Sequence, residues 1–172
     1  MKNERGFTLF ELIIYIGVVG LILMTLGLSM INMLYGRVKV RVISEVLSNA
    51  RLVEQQLSNT ARHAEGINVG SSTFGADPGV LSFEMVDSSK DPTVYSLTSD
   101  NGTLQVSEDA GENTMLTTDQ IAVTNLLFTN LTGDGDKGVI KVEYTLRAKN
   151  SSGLKYYDYG ASFQTTLRIP LD

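Results

Sequence analysis

A carboxylate stands at the head of the longest uncharged stretch in the chain. Glu11 is followed by residues 12–36, none of which carries a formal charge. On insertion scales a carboxylate costs about 2.5–3.5 kcal/mol at the centre of a lipid-spanning helix, and such residues are rare and usually functional. Glu11 therefore needs a partner or a role, and Arg5, Gly6, Phe7, Thr8, Leu9 and Phe10 define its setting. At ~1.5 Å of rise per residue, a helix over 12–36 exceeds the ~30 Å of a hydrocarbon core. A secretory signal peptide would have an apolar region of only about 7–15 residues with a small-residue cleavage site behind it. Here the run is longer, and the small residue, Gly6, precedes it.

Other residues able to do chemistry are sparse. The chain has no cysteine, which excludes disulfides, thiol catalysis and thiolate metal sites. His63 is the single histidine, so a structural or surface role is expected where a relay or general base would need a partner in hydrogen-bond reach. Asp134 and Asp136 are weak metal candidates within Gly133-Asp134-Gly135-Asp136-Lys137-Gly138. The calcium-loop pattern fails because Gly138 occupies the third ligand position, which leaves a solvated hairpin turn as the expectation. Asn101, Asn130 and Asn150 each begin a glycosylation triplet, two of them in turn chemistry where such residues gather anyway. Lys155 and Tyr156-Tyr157-Asp158-Tyr159 could stack on bases or sugar, although half-buried strand packing is the commoner use of such a cluster. With no carboxylate pair, nucleophile–base set or phosphate loop, the chain is expected not to be an enzyme and to need no cofactor.

Charge narrows the partners further. Residues 1–66 hold seven basic and five acidic side chains, whereas residues 67–172 hold seven basic and fourteen acidic. Binding to nucleic acid is driven by phosphate neutralisation, so an acidic head makes nucleic acid an unlikely partner. The basic cluster Arg37, Lys39 and Arg41 directly follows the apolar run, at the depth of lipid headgroups.

These residues must be held by a small set of elements. No proline occurs before Pro78, so one long helix is expected over residues 8–65, with Gly66 as its stop. In its second half Ile43, Val46, Ala50, Val53, Leu57, Thr60 and Ala64 recur every three or four residues and form one stripe. Gly17, Gly20 and Gly27 each weaken the first half by up to about 1 kcal/mol, and permit either close helix packing or local melting. After a loop over 67–79, strands are expected over 81–85, 93–97 and 103–107, with a hairpin at Asp100-Asn101-Gly102. Residues 121–131 are apolar and partly β-branched but lack a clean period. Alternation is clear over 139–147 and 161–169, as in sheets with one solvated face. The predicted class is α+β: a long N-terminal helix packed on an antiparallel β-sheet head.

Gly6-Phe7-Thr8-Leu9-x-Glu11, with the apolar run behind it, resembles the leader and helix start of type IV pilins and of the pseudopilins of type II secretion systems. The resemblance implies that a prepilin peptidase cuts between Gly6 and Phe7 and methylates the new terminal Phe7. Glu11 would then be the fifth residue of the processed chain and meet the amino terminus of a neighbouring subunit. The implied organisation is a leader over 1–6, a transmembrane and filament-core helix over 7–36, an amphipathic helix over 37–66 and a β-sheet head over 67–172. Implied partners are other major and minor pilins or pseudopilins, the peptidase, an inner-membrane assembly platform and the lipid bilayer. Lys/Arg counting alone would keep the carboxyl side in the cytoplasm, since Lys2 and Arg5 face three basic residues after the run. The motif points the other way, to a single pass through the inner membrane with the head outside. The layout of the helix end at 57–64, the strand at 80–84 and the late pair of long strands is similar to minor pseudopilin J and W-type minor pilins. The expected function is a structural subunit of a type IV pilus or type II secretion pseudopilus. The alternative is a membrane-anchored binding module or filament-tip adhesin.

Overall fold

The computed structural model describes residues 8–99, 102–135, 137–150 and 153–171. One helix, α1, covers Leu9–His63. Eight strands follow: β1 Ala64–Ile67, β2 Leu81–Met85, β3 Thr93–Leu97, β4 Leu104–Glu108, β5 Thr114–Met115, β6 Ile121–Asn130, β7 Val139–Ala148 and β8 Gly160–Arg168. The chain divides into two compact units between Val40 and Arg41.

In the first unit α1 is apolar on every side, and its large side chains from Leu9 to Tyr35 are exposed. It is long and apolar enough to cross a membrane, with a best 18-residue stretch of mean hydropathy 2.4. Among these residues the Thr25 hydroxyl donates to the Ile22 carbonyl at 2.8 Å, so the helix itself satisfies that polar group.

In the second unit the helix buries one stripe, Val42, Val46, Asn49, Ala50, Val53, Leu57, Thr60 and Ala61. Three of these, Val42, Asn49 and Ala61, differ from the expected stripe. Val42 is buried where Ile43 was expected. Asn49 is buried because its side chain is fully used: Nδ2 donates to the Glu45 carbonyl, and Oδ1 accepts from the Thr118 amide, both at 2.9 Å. The helix ends at His63, short of the expected 65, because residues 64–67 are drawn into β1. There Ala64 pairs with Met85 and Ile67 with Phe83, with a bulge between Ala64 and Gly66. A strand pairing that satisfies backbone groups across the sheet outweighs a last half-turn of helix with orphan carbonyls.

The head holds two antiparallel sheets where a single sheet was expected. One is the meander β1-β2-β3-β4-β5 and the other is β6-β7-β8. Their inner faces and the helix stripe share one core, in which Leu57, Leu81, Phe83, Tyr95, Ile121, Leu126, Phe128, Val142 and Leu146 are fully buried. Phe83 meets Tyr95 edge-on at 6.0 Å between ring centres, and Tyr144 stacks on Phe163 at 5.4 Å. On β2, Ser82 is fully buried along with Leu81 and Phe83 on either side of it. Its amide donates to the Ser72 hydroxyl oxygen at 3.0 Å, so the loop before β2 closes over it.

Within residues 121–131, Ile121–Asn130 form one long strand. The register runs Val123↔Leu146 and then Asn125↔Thr145, so Thr124 is an extra residue bulged out of the ladder. Ile121 and Val123 point inward before the bulge, and Leu126 and Phe128 after it. The inward set changes from odd to even positions, which is why no period of two was visible over the whole segment.

Candidate functional site

The first turn of α1 carries the leading site candidate. Thr8 precedes the helix, its hydroxyl accepting the Glu11 amide at 3.3 Å and its carbonyl accepting the Leu12 amide at 3.2 Å. Thr8-Leu9-Phe10-Glu11 is thus an N-terminal capping arrangement of the S/T-x-x-E kind. Glu11 lies in the first turn of α1, at the positive end of the helix dipole. Its carboxylate is exposed, at the end of a helix whose apolar side chains are exposed as well. Gly6 and Phe7, the expected cleavage and methylation residues, lie outside the described residues.

The other candidates are scattered. His63 is exposed, and its Nδ1 lies 2.8 Å from the Asn59 carbonyl, a contact that helps close the helix end. It borders a groove of about 590 Å³ shared with Arg62, Asp87, Lys90 and Glu108. In that groove Lys90 pairs with Glu108 at 3.2 Å, and bonds from the Ser89 hydroxyl and amide hold the Asp87 carboxyl below its ordinary range. Asp134 is an exposed turn residue, and Asp136 lies outside the described residues. Among the described residues no three His, Asp or Glu side chains converge as a metal site.

The tyrosine cluster departs from its expected strand. Lys155–Tyr157 is a 3₁₀ turn, in which Tyr157 is exposed, while Tyr159 packs against the core. The cluster is held by Arg147, which binds Asp158 Oδ1 through Nη2 at 2.8 Å. Of the glycosylation candidates, Asn101 lies outside the described residues and Asn130 accepts the Thr132 amide at 2.9 Å.

Two buried tyrosines that sequence reasoning did not single out tie the helix to the sheets. The Tyr95 hydroxyl lies 2.6 Å from the Thr60 hydroxyl, and the Tyr144 hydroxyl donates to the Ala50 carbonyl at 3.1 Å. Burial pushes both phenols up to about 12, against a weak lowering by the Thr60 bond at Tyr95 and with a small addition from Glu54 at Tyr144. Alternation over 139–147 put Tyr144 on one face of its strand, whereas Tyr95 was expected only to lie within the strand over 93–97; their hydroxyl partners are 94 and 35 residues away in sequence.

Compared with known protein families, residues 1–27 match the prokaryotic N-terminal methylation motif. No curated protein and no solved structure matches the chain. A prepilin-type signal, a helix able to span a membrane and antiparallel sheets behind it define a pilin-like α+β architecture. That class implies anchoring by a single N-terminal helix, processing by a prepilin peptidase and association with other pilin-like chains.

Proposed function

We propose that this chain is a minor pilin or pseudopilin, a structural subunit that assembles through its N-terminal helix into a type IV pilus or type II secretion pseudopilus. The observation that carries the reading is the coincidence of the methylation motif with a helix that exposes every large apolar side chain from Leu9 to Tyr35. Soluble monomers rarely expose a contiguous apolar surface of that extent, so lipid or neighbouring helices must cover it. The layout of late paired strands after a long helix favours the J or W type of minor subunit. The peptidase would cut between Gly6 and Phe7 and methylate Phe7, and Glu11 would pair with the amino group of a neighbour's Phe7.

Mass spectrometry of protein from the native host tests this directly. The expected result is a chain that begins at methylated Phe7. An intact Met1 start in cells that contain a prepilin peptidase would end the reading. Deleting the protein should also abolish piliation or secretion.

A further inference from the structure

We infer that the outer edge of β8 is a docking site for an extended, acidic polypeptide segment, which adds to the β6-β7-β8 sheet as a fourth strand. The phase of its hydrogen bonds shows what the edge presents. Ile169 donates to the Gly138 carbonyl and Ala148 to the Tyr159 carbonyl, each at 2.9 Å. In the antiparallel register of β7 with β8, Ala161, Phe163, Thr165 and Leu167 therefore exchange bonds with β7. Gly160, Ser162, Gln164, Thr166 and Arg168 turn their amides and carbonyls away from it.

Exposed edges are normally blunted by proline, charge, bulges or cover. The other edges are managed in these ways. β6 is covered, since Gly75 and Gly79 donate to the Phe128 and Leu126 carbonyls, Asp77 Oδ1 accepts the Leu126 amide, and the Gly102 carbonyl accepts the Val123 amide. β5 has two residues, and β1 is short and bulged. β8 runs for nine residues with no proline, no bulge and one charge, Arg168, at its end.

A groove of about 560 Å³ runs beside this edge, between β8 and the outward face of α1, lined by Arg51, Glu54, Gln55, Ser58, Arg62 and Thr166. Arg51 and Arg62 make no ion pair among the described residues. They give the groove two cations against the one carboxylate of Glu54, on a head that is otherwise acidic, which selects carboxylates. Arg51 and Arg62 lie about 16 Å apart along the helix, and two strand residues at i and i+4 span about 14 Å on one face. Acidic residues at that spacing would reach both. A second copy paired through its own β8 would set two basic grooves side by side, so a non-identical partner is favoured.

The test uses the full chain in detergent micelles with the probe peptide acetyl-Thr-Glu-Val-Thr-Val-Glu-Val-amide, followed by amide hydrogen exchange. The peptide should slow exchange at Ser162, Gln164 and Thr166 by roughly tenfold or more, and leave Phe163 and Thr165 unchanged because these already bond to β7. Gln164→Pro should remove the effect while preserving the fold, since that amide faces away from β7. Methylating the peptide's alternate amides should remove it with no change to the protein, and R51A with R62A should weaken binding by about tenfold. No slowing at about 1 mM peptide, equal slowing by the lysine-for-glutamate peptide, or peptide-independent protection that grows with protein concentration would each overturn the assignment.

Discussion

Glu11 has one observed role and one proposed role, and one substitution divides them. As the third residue of a capped first turn it favours the helix start, and glutamine serves that role as well as glutamate does. As a charge it is the proposed partner of a neighbouring amino terminus. Glu11→Gln should therefore leave membrane insertion, leader cleavage and the head's thermal stability unchanged, while co-purification with partner pilins and entry into filaments fall. Glu11→Ala should behave alike in assembly. If both variants enter filaments as the parent does, the pairing role is wrong. The buried hydroxyl pair of Thr60 and Tyr95 makes a different prediction. Tyr95→Phe leaves the Thr60 hydroxyl buried without that partner and should cost about 1 kcal/mol in denaturant unfolding near neutral pH. In the unfolded chain both phenols titrate near 10, whereas Tyr95 and Tyr144 are held near 12 when folded. Their contribution is complete below about pH 10 and is lost as pH rises towards 12, because the unfolded state releases its protons first. Tyr95→Phe should flatten that alkaline decline.

β6 shows how one inserted residue hides a strand. With Thr124 taken out, inward and outward positions alternate without interruption from Ile121 to Phe128, and the pairing with β7 keeps one register. Deleting Thr124 should therefore give a folded head with cooperative unfolding, weakened by about 0.5–3 kcal/mol. Deleting Leu127 instead turns Phe128 outward, and circular dichroism should show loss of the sheet. The cover over the same strand depends on Gly79. A Cβ there would lie 2.8 Å from a Phe128 ring carbon and 3.2 Å from the Leu126 and Thr73 carbonyls. Two of these neighbours are backbone and cannot swing aside, so Gly79→Ala should cost about 1–3 kcal/mol by chemical denaturation.

The two units of the chain use apolar side chains for different ends. The continuous core begins at Val46 and draws on the helix and both sheets, while none of the large side chains from Leu9 to Tyr35 enters it. A truncated chain beginning at Val38 should therefore be soluble and folded, with both helix and sheet in its circular dichroism spectrum. Aggregation, or a spectrum without sheet, would show that residues before 38 serve the head.

Local patterns were enough to announce the apolar helix, the buried stripe from Val46 to Thr60, the alternation of β7 and β8, and the leader motif, because each is a short-range period or a contiguous string. The capping role of Thr8 was equally local and could have been read. What the tertiary structure alone decided is non-local. It divided the strands into two sheets, ended the helix at His63 so that β1 could pair, and buried Asn49 and Ser82 by supplying cover or partners from distant loops. It covered β6 and left β8 open, a difference invisible in either strand's own residues. A side chain's type sets what it can bond. Which groups reach it, and which edge is left without a neighbour, depends on chain segments tens of residues away.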